Sequence, residues 1–399
     1  MAFGVGKRLM GGTKQVDRGD ERLAVLSRRG LLKAAGAATL GLATGALSTA
    51  AARTGSSIGS GNASASVATA KLGVFGEPSG TEKGYFQAFT HFQSEVSRPV
   101  AIYRTYRGWG EPIITPLISS IVDPSQDNFL PTPELYVSFH AFLTSKGTKC
   151  IAWSKIASGC YDATIDAWAS ELDQLLSLKG HAYVTFHHEM ENEEGTPPVG
   201  CGATGTNCGT PDDFKAAYWH FRARVQNRLS SLNGWPSSAI TWVITYMGDT
   251  FRNKHGGPDR WWPSAADVSY VPGVPDDHLV GVDLYNRYKC HSKPWFSFQY
   301  LTDGVKGPGP QAYASSKGRK LFIGECGTVE GDACGGTLPN GTAKAQWYSD
   351  ALALMKGWTN LEAFCYSQVS GFASGNYRID TSSQAQAAFK ALANDPLFS

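Results

Sequence analysis

Two short apolar runs in this 399-residue chain each end on a glutamate. The run in AYVTFHHEMENE delivers Glu189, and the run in KLFIGECGT delivers Glu325. Each reads as a buried strand that stops at an acid. Two carboxylates facing one another across a cavity can cleave a glycosidic bond. One holds a proton for the leaving oxygen, and the other stays ionised to attack the sugar carbon or to activate water. Taken singly, either acid is as well explained by an ion pair at a strand end. Only the pair points to this chemistry.

The elements that must position the pair recur along the chain. Eight apolar or aromatic runs follow one another: KLGVFG (71–76), VAIYRTY (100–106), KCIAWS (149–154), HAYVTFH (181–187), ITWVITY (240–246), HLVGVDLY (278–285), KLFIGE (320–325) and LEAFCYS (361–367). Helix-like segments lie between most of them, starting near Tyr85, at Pro133 (PELYVSFHAFLTS), Asp162, Pro211 and Thr342. Strand and helix in alternation predict a parallel sheet. Eight such units predict a single α/β domain, a (β/α)₈ TIM barrel with long loops after its strands, notably 107–131, 188–210 and 247–277. A doubly wound open sheet is the runner-up, but the chain carries no glycine-rich phosphate loop to support it. Glu189 and Glu325 then close the fourth and seventh strands. Alternation along a strand puts Thr185, His187 and Glu189 on one face, if the strand persists that far. It puts Leu321, Ile323 and Glu325 on another, and Gly281, Asp283 and Tyr285 on a third.

The start of the chain belongs to export rather than to the fold. SRRGLLK (27–33) precedes an apolar run to Leu47 and the small residues Ala50–Ala52, the pattern of a cleaved signal with a twin-arginine pair at Arg28–Arg29. The apolar run is shorter than the ~20 residues that span a bilayer. Residues 53–70 are a Gly/Ser/Ala-rich linker, and 71–399 form the barrel domain. Residues 1–52 hold eight of the 36 Lys/Arg and three of the 34 Asp/Glu, so 28 basic and 31 acidic residues remain, a net of −3. That balance argues against nucleic acid or a membrane as partner of the mature form, which is expected to be a secreted monomer. All eight cysteines (150, 160, 201, 208, 290, 326, 334 and 365) lie in the exported part, which favours disulfides. Cys201–Cys208 is the best local pair. Cys326–Cys334 and Cys150–Cys160 are further candidates, and Cys365 reads as a buried thiol.

The stretch FHHEMENE resembles the acid/base motif of glycoside hydrolase family 26, a family of retaining (β/α)₈ glycosidases. The resemblance covers the chain from about Lys71 onward and is sharpest at 186–193. It implies Glu189 as acid/base, Glu325 as nucleophile, His188 at the substrate and Tyr285 (in HLVGVDLYN) in support of the nucleophile. It implies a β-linked polysaccharide as substrate, with β-mannan the first guess, and no cofactor. The chain departs from the pattern in two places. The eighth run reads FCYSQVSG, with Tyr366 or Gln368 where a sugar-stacking Trp is common. The motif continues MENEEG where mannanases have Asn-Gly.

Other residues divide between function and packing. His187, His188, Glu189, Glu191 and Glu193 suggest a metal at first sight, but adjacent strand residues point apart and the HExxH spacing is absent. No metal is expected, and His187 reads equally well as a barrel-interior histidine. Trp109, Trp153, Trp261, Trp262 and Trp295 fall in or beside the expected loops, where aromatic rings stack on sugar C–H faces. Trp153, taken to end a strand, is the strongest of them. Arg104 has two readings, contact with sugar hydroxyls or pairing with a carboxylate. The rival functions are a non-catalytic carbohydrate-binding or cell-envelope barrel, which has no need of opposed acids, and a metal-dependent hydrolase.

Overall fold

In the computed structural model, eight parallel strands close into a barrel in which every strand pairs with its neighbours in sequence, and the last returns to the first. The described residues are 69–398 without 81, 115–120, 122–132, 144–148, 253, 289–292, 305–306, 331–342 and 371–374. The strands are β1 (Lys71–Gly76), β2 (Ile102–Arg107), β3 (Glu134–Phe139), β4 (Ala182–Phe186), β5 (Ile240–Met247), β6 (Leu279–Asn286), β7 (Leu321–Thr328) and β8 (Leu361–Gln368). Among the described residues eight α-helices accompany them. This is the (β/α)₈ barrel the sequence predicts, and closure disposes of the open-sheet alternative. The expected signal at 1–52, and the linker up to residue 68, lie outside the described residues. Ala70 already belongs to the fold: it is buried, and its N–H donates to the Leu397 carbonyl at 2.8 Å.

The core has two layers, as the strand alternation requires. Outward residues such as Leu135, Val137, Val184, Val280, Val282 and Leu321 pack beneath the helices. Inward residues Ile102, Tyr136, Tyr183, Val243, Phe322, Ala363 and Cys365 fill the barrel. The helix Asp162–Lys179 buries Ile165, Trp168, Ala169, Leu172, Leu175 and Leu176, a stripe at three- and four-residue spacing. The helix Pro211–Asn233 starts at a capping box, where Thr210 and Asp213 satisfy one another's backbone N–H groups, and stops at the left-handed Gly234.

One element departs from expectation. The third barrel strand is Glu134–Phe139, read from the sequence as part of a helix, and 149–154 is not a barrel strand. ELYVSF presents large apolar groups to both faces: Leu135, Val137 and Phe139 outward, Tyr136 inward. A surface helix needs a polar stripe that this run does not offer, whereas a strand buried on both sides does not. KCIAWS instead splits. Cys150–Ile151 pairs antiparallel with Thr204–Gly205, and a short helix runs from Trp153 to Ala157.

Candidate active site

Glu325 reaches the barrel mouth through an irregularity in β7. Leu321 and Ile323 face the helices and Phe322 faces inward, so unbroken alternation would send Glu325 outward with Ile323. The expectation that these three share a face is therefore wrong. Against β6, Val282 pairs with Ile323 and the next residue, Asp283, pairs with Glu325. Gly324 is the extra residue of a bulge, which re-aims the following side chain. The bulge can only be glycine. A Cβ there would stand 2.7 Å from Arg104 Nη1 and 2.8 Å from Asp283 Oδ1.

Three groups hold the Glu325 carboxylate. The Tyr106 hydroxyl donates to Oε1 at 2.5 Å, the Tyr285 hydroxyl to Oε2 at 2.5 Å, and Arg104 Nη2 lies 3.0 Å from Oε1. Burial, reinforced for Tyr285 by Glu325 itself, pushes both phenols well above their usual pKa, so they remain donors. Arg104 is completely buried between the rings of Tyr106 and Tyr136, at 4.8 and 4.7 Å from their centres. Its Nη1 also pairs with Asp283 Oδ1 at 3.0 Å. Burial opposes the Arg104 charge, but Asp283 and Glu325 outweigh it and push the guanidinium pKa up. Burial, then Glu325 and Glu189, push Asp283 up against the pull of Arg104.

Glu189 stands past the end of β4, on a turn. The strand stops at Phe186, and His187 and Glu189 both adopt left-handed backbone, with φ of 54° and 52°. Such conformations cost non-glycine residues about 1–3 kcal/mol each and collect at functional sites. The turn is pinned where the Glu189 N–H donates to the Thr245 carbonyl at 2.8 Å. Burial first, then the Glu325 charge, push the Glu189 carboxyl up to about 7, with Arg287 pulling the other way. It is this electrostatic coupling that links the two glutamates. Next to it Glu191 is buried, takes a hydrogen bond from the Thr250 hydroxyl at 2.6 Å, and is pushed by burial to about 8.

Three histidines line this side. His188 lies 3.9 Å from Glu325 Oε1, with its Nδ1 2.7 Å from Ser138 Oγ and its ring against His140. Burial first, then His187 and Arg104, drive His140 well below the usual imidazole pKa, and burial, His140, Arg104 and His187 do the same to His188, so both are neutral. His187 Nδ1 accepts from Trp153 Nε1 at 3.0 Å. An indole only donates, so the ring proton must sit on Nε2, 3.3 Å from Glu193 Oε2.

Among the described residues, one cluster has ligand atoms close enough for a metal: His188, Asp283 and Glu325, within 4.8 Å of one another. The residues do not suit a cation. Arg104 already bridges the two carboxylates, and a divalent ion would meet a permanently charged guanidinium.

Several expected site residues sit elsewhere. Trp153 is 0% exposed, opens a helix rather than ending a strand, and offers no ring face to a sugar; it fixes His187 instead. Trp109, Trp261 and Trp262 are also buried. Arg104 lies beneath the site and resolves to the carboxylate-pairing reading. Tyr366 is buried and bonded to Tyr348, and Gln368 is buried and bonded to Glu95, so neither replaces a stacking Trp.

The cysteines pair across loops rather than within them. Cys150 bonds Cys208 and Cys160 bonds Cys201, which excludes Cys201–Cys208 and Cys150–Cys160. The cause is the Thr204–Gly205 ladder to Cys150–Ile151, which folds the long loop after β4 back over the segment before the Asp162 helix. Cys326 and Cys365 are free, buried thiols, and Cys334, the expected partner of Cys326, lies outside the described residues. Among the described residues no helix is long and apolar enough to cross a membrane.

Sequence reasoning left Tyr106, Asp283, His140 and Glu193 without a role. Tyr106 shares a face with Ile102 and Arg104, and Asp283 with Tyr285, so alternation was signal enough for both. His140 required the correct third strand. A cleft of about 340 Å³ opens beside Glu189, lined by Asp283, Tyr285 and residues of the loops after β5 and β6. At its edge Tyr300, 43% exposed, stacks on Phe296 with ring centres 4.6 Å apart.

No protein-family model matches the sequence, and no curated protein matches it. Solved structures do. A glycoside hydrolase family 26 β-mannanase from Bacteroides ovatus matches over 83% of this chain and 90% of its own, at 12% identity and a TM-score of 0.51. An endo-β-1,4-mannanase of that family from Cellulomonas fimi matches over 83% and 72%, at 14% identity and a TM-score of 0.49. The YdhT protein from Bacillus subtilis matches over 83% and 84%, at 15% identity and a TM-score of 0.47. The barrel is thus family 26-like in fold, in line with the resemblance at FHHEMENE.

Proposed function

We propose that the protein is a secreted, retaining glycoside hydrolase acting on a β-linked polysaccharide, with Glu189 as acid/base and Glu325 as nucleophile. The observation that carries the reading is the contrast between the two carboxyls. Burial and the Glu325 charge push Glu189 up to about 7, so it keeps a proton near neutral pH. Glu325 is met by two phenol donors and a guanidinium, the surroundings of a carboxylate anion. Splitting two acids in this way is how one site holds both an acid and a nucleophile.

In the first step a Glu325 oxygen bonds to the anomeric carbon as the bond to the leaving oxygen breaks. The leaving oxygen keeps the electron pair and takes the Glu189 proton. In the second, ionised Glu189 removes a proton from water, whose oxygen attacks the anomeric carbon and frees Glu325. Two inversions give net retention, a route that requires carboxyl groups roughly 5–5.5 Å apart. Tyr106 and Tyr285 hold the nucleophile in line, and His188, neutral and at the edge of the pair, is placed to meet a sugar hydroxyl. The two disulfides suit an oxidising compartment, in keeping with the twin-arginine pattern and with a monomeric secreted enzyme.

The test is a screen of purified protein on β-mannan, β-glucan, β-xylan and bacterial-wall glycans, followed by Glu189→Ala and Glu325→Ala. Each substitution should cut release of reducing ends by at least about 10²-fold with melting temperature preserved. Near-normal turnover in either variant overturns the assignment. Binding without release by the wild type across the panel favours a carbohydrate-binding barrel.

A further inference from the structure

The cleft beside Glu189 gathers basic side chains. Four line it, Arg252, Lys254, Arg287 and Lys293, although residues 53–399 hold 28 basic and 31 acidic residues. Lys254 is neutralised by Asp249, and Asp283, at the base of the cleft, is taken by Arg104 from below. Among the described residues no carboxylate forms an ion pair within 4 Å of Arg252, Arg287 or Lys293; Asp249 acts on Arg252 and Lys293, and Glu189 on Arg287, only at longer range.

Arg252 and Arg287 are held in place by aromatic rings, while Lys293 is exposed at the cleft. Arg252 lies over the Tyr300 ring at 3.5 Å and near Phe296 at 5.3 Å from its centre. Arg287 lies over Tyr285 at 5.3 Å. Stacking uses the face of a guanidinium and leaves the N–H edge free, the edge that grips a carboxylate or sulfate with two parallel hydrogen bonds. Burial lowers the Arg252 pKa, the mark of a cation partly stripped of water without full compensation. A neutral glycan brings only hydroxyls to such a place.

Resting on the glycosidase reading above, we propose that the substrate is an acidic glycan, whose sugar carboxylate or sulfate ester docks on Arg252, Arg287 and Lys293. The anionic group then sits on the Glu189 side of the bond to be cut. The β-linked backbone is recognised by the site and the charge by this cleft.

Binding and cleavage test this separately. The full chain carrying Glu325→Gln is titrated by calorimetry with matched pairs: xylan against uronate-bearing xylan, and hydroxyethyl against carboxymethyl and sulfated β-glucan. The acidic member of at least one pair should bind at least about tenfold more tightly, with the preference shrinking as salt is added. The carboxylated and sulfated arms show which anion is meant. Adding Arg252→Gln or Lys293→Gln should each lower the preference several-fold at unchanged melting temperature. Equal binding within every pair, binding to none of them, or a preference untouched by both substitutions overturns the inference. Wild-type hydrolysis of the same panel is read independently. Neutral glycans bound and cut as well as acidic ones leave the glycosidase standing and remove the acidic substrate. Acidic glycans bound tightly but never cut do the reverse.

Discussion

Glu189 should burden the fold that holds it. Its carboxyl is raised from 4.5 to about 7, chiefly by burial and then by Glu325. An acid whose pKa is raised by folding favours the native state below its unfolded pKa, and that contribution is lost as pH rises through the folded value. At about 1.4 kcal/mol per pH unit, ionising Glu189 in place costs the native state about 3 kcal/mol at pH 8 and close to nothing at pH 4. Glu189→Gln removes the ionisation and keeps an oxygen for the Asn192 amide, which now donates to Glu189 Oε2 at 3.2 Å. The variant should therefore be inactive yet more stable than wild type by about 2–3 kcal/mol at pH 8, with the gain gone by pH 4. Guanidinium denaturation of both proteins across that range measures it. A gain equal at both ends, or a loss at pH 8, would show that Glu189 is an ordinary solvated carboxylate, and the acid/base assignment would lose its physical basis.

Other outcomes follow from the groups around the pair. Tyr285→Phe removes one donor from Glu325 Oε2; kcat should fall about 10–100-fold, the worth of a hydrogen bond to a charged group, with little change in melting temperature. Arg104→Gln leaves Asp283 and Glu325 buried without their shared counter-ion, so denaturant unfolding should show a loss of about 3–5 kcal/mol. Arg287 pulls the Glu189 pKa down; Arg287→Gln should raise it, and the alkaline limb of the kcat/KM profile should move to higher pH, because activity needs protonated Glu189. An unmoved limb would mean that Arg287 does not act on the acid.

The barrel was legible in the sequence because seven of its eight strands are short apolar runs, most of them separated by helix-like segments. The eighth, Glu134–Phe139, was hidden by its own burial. A strand covered on both faces loses the period-two signal, and its neighbour KCIAWS imitated a strand better. Glu189 and Glu325 stood out in the sequence as acids ending apolar runs, but neither ends a strand: Glu325 lies within β7 and Glu189 three residues past β4. Glu325 turns inward through the Gly324 bulge and Glu189 through a left-handed turn, and neither follows from alternation. The disulfides were misread because local spacing favoured Cys201–Cys208, while the ladder between 150–151 and 204–205 is a long-range contact. Trp153 shows the commonest trap: a ring beside an active site whose Nε1, rather than its face, is the part in use.

The central claim is that Glu325 bonds to the sugar. An activated 2-deoxy-2-fluoro glycoside of the sugar released in the glycan screen should trap that bond. Mass spectrometry of the intact protein should show one added glycosyl group, and peptide mapping should place it on the segment containing Glu325, with no label in Glu325→Gln. A label on Glu189, on Asp283 or on no residue while the wild type turns over the parent substrate would contradict the account.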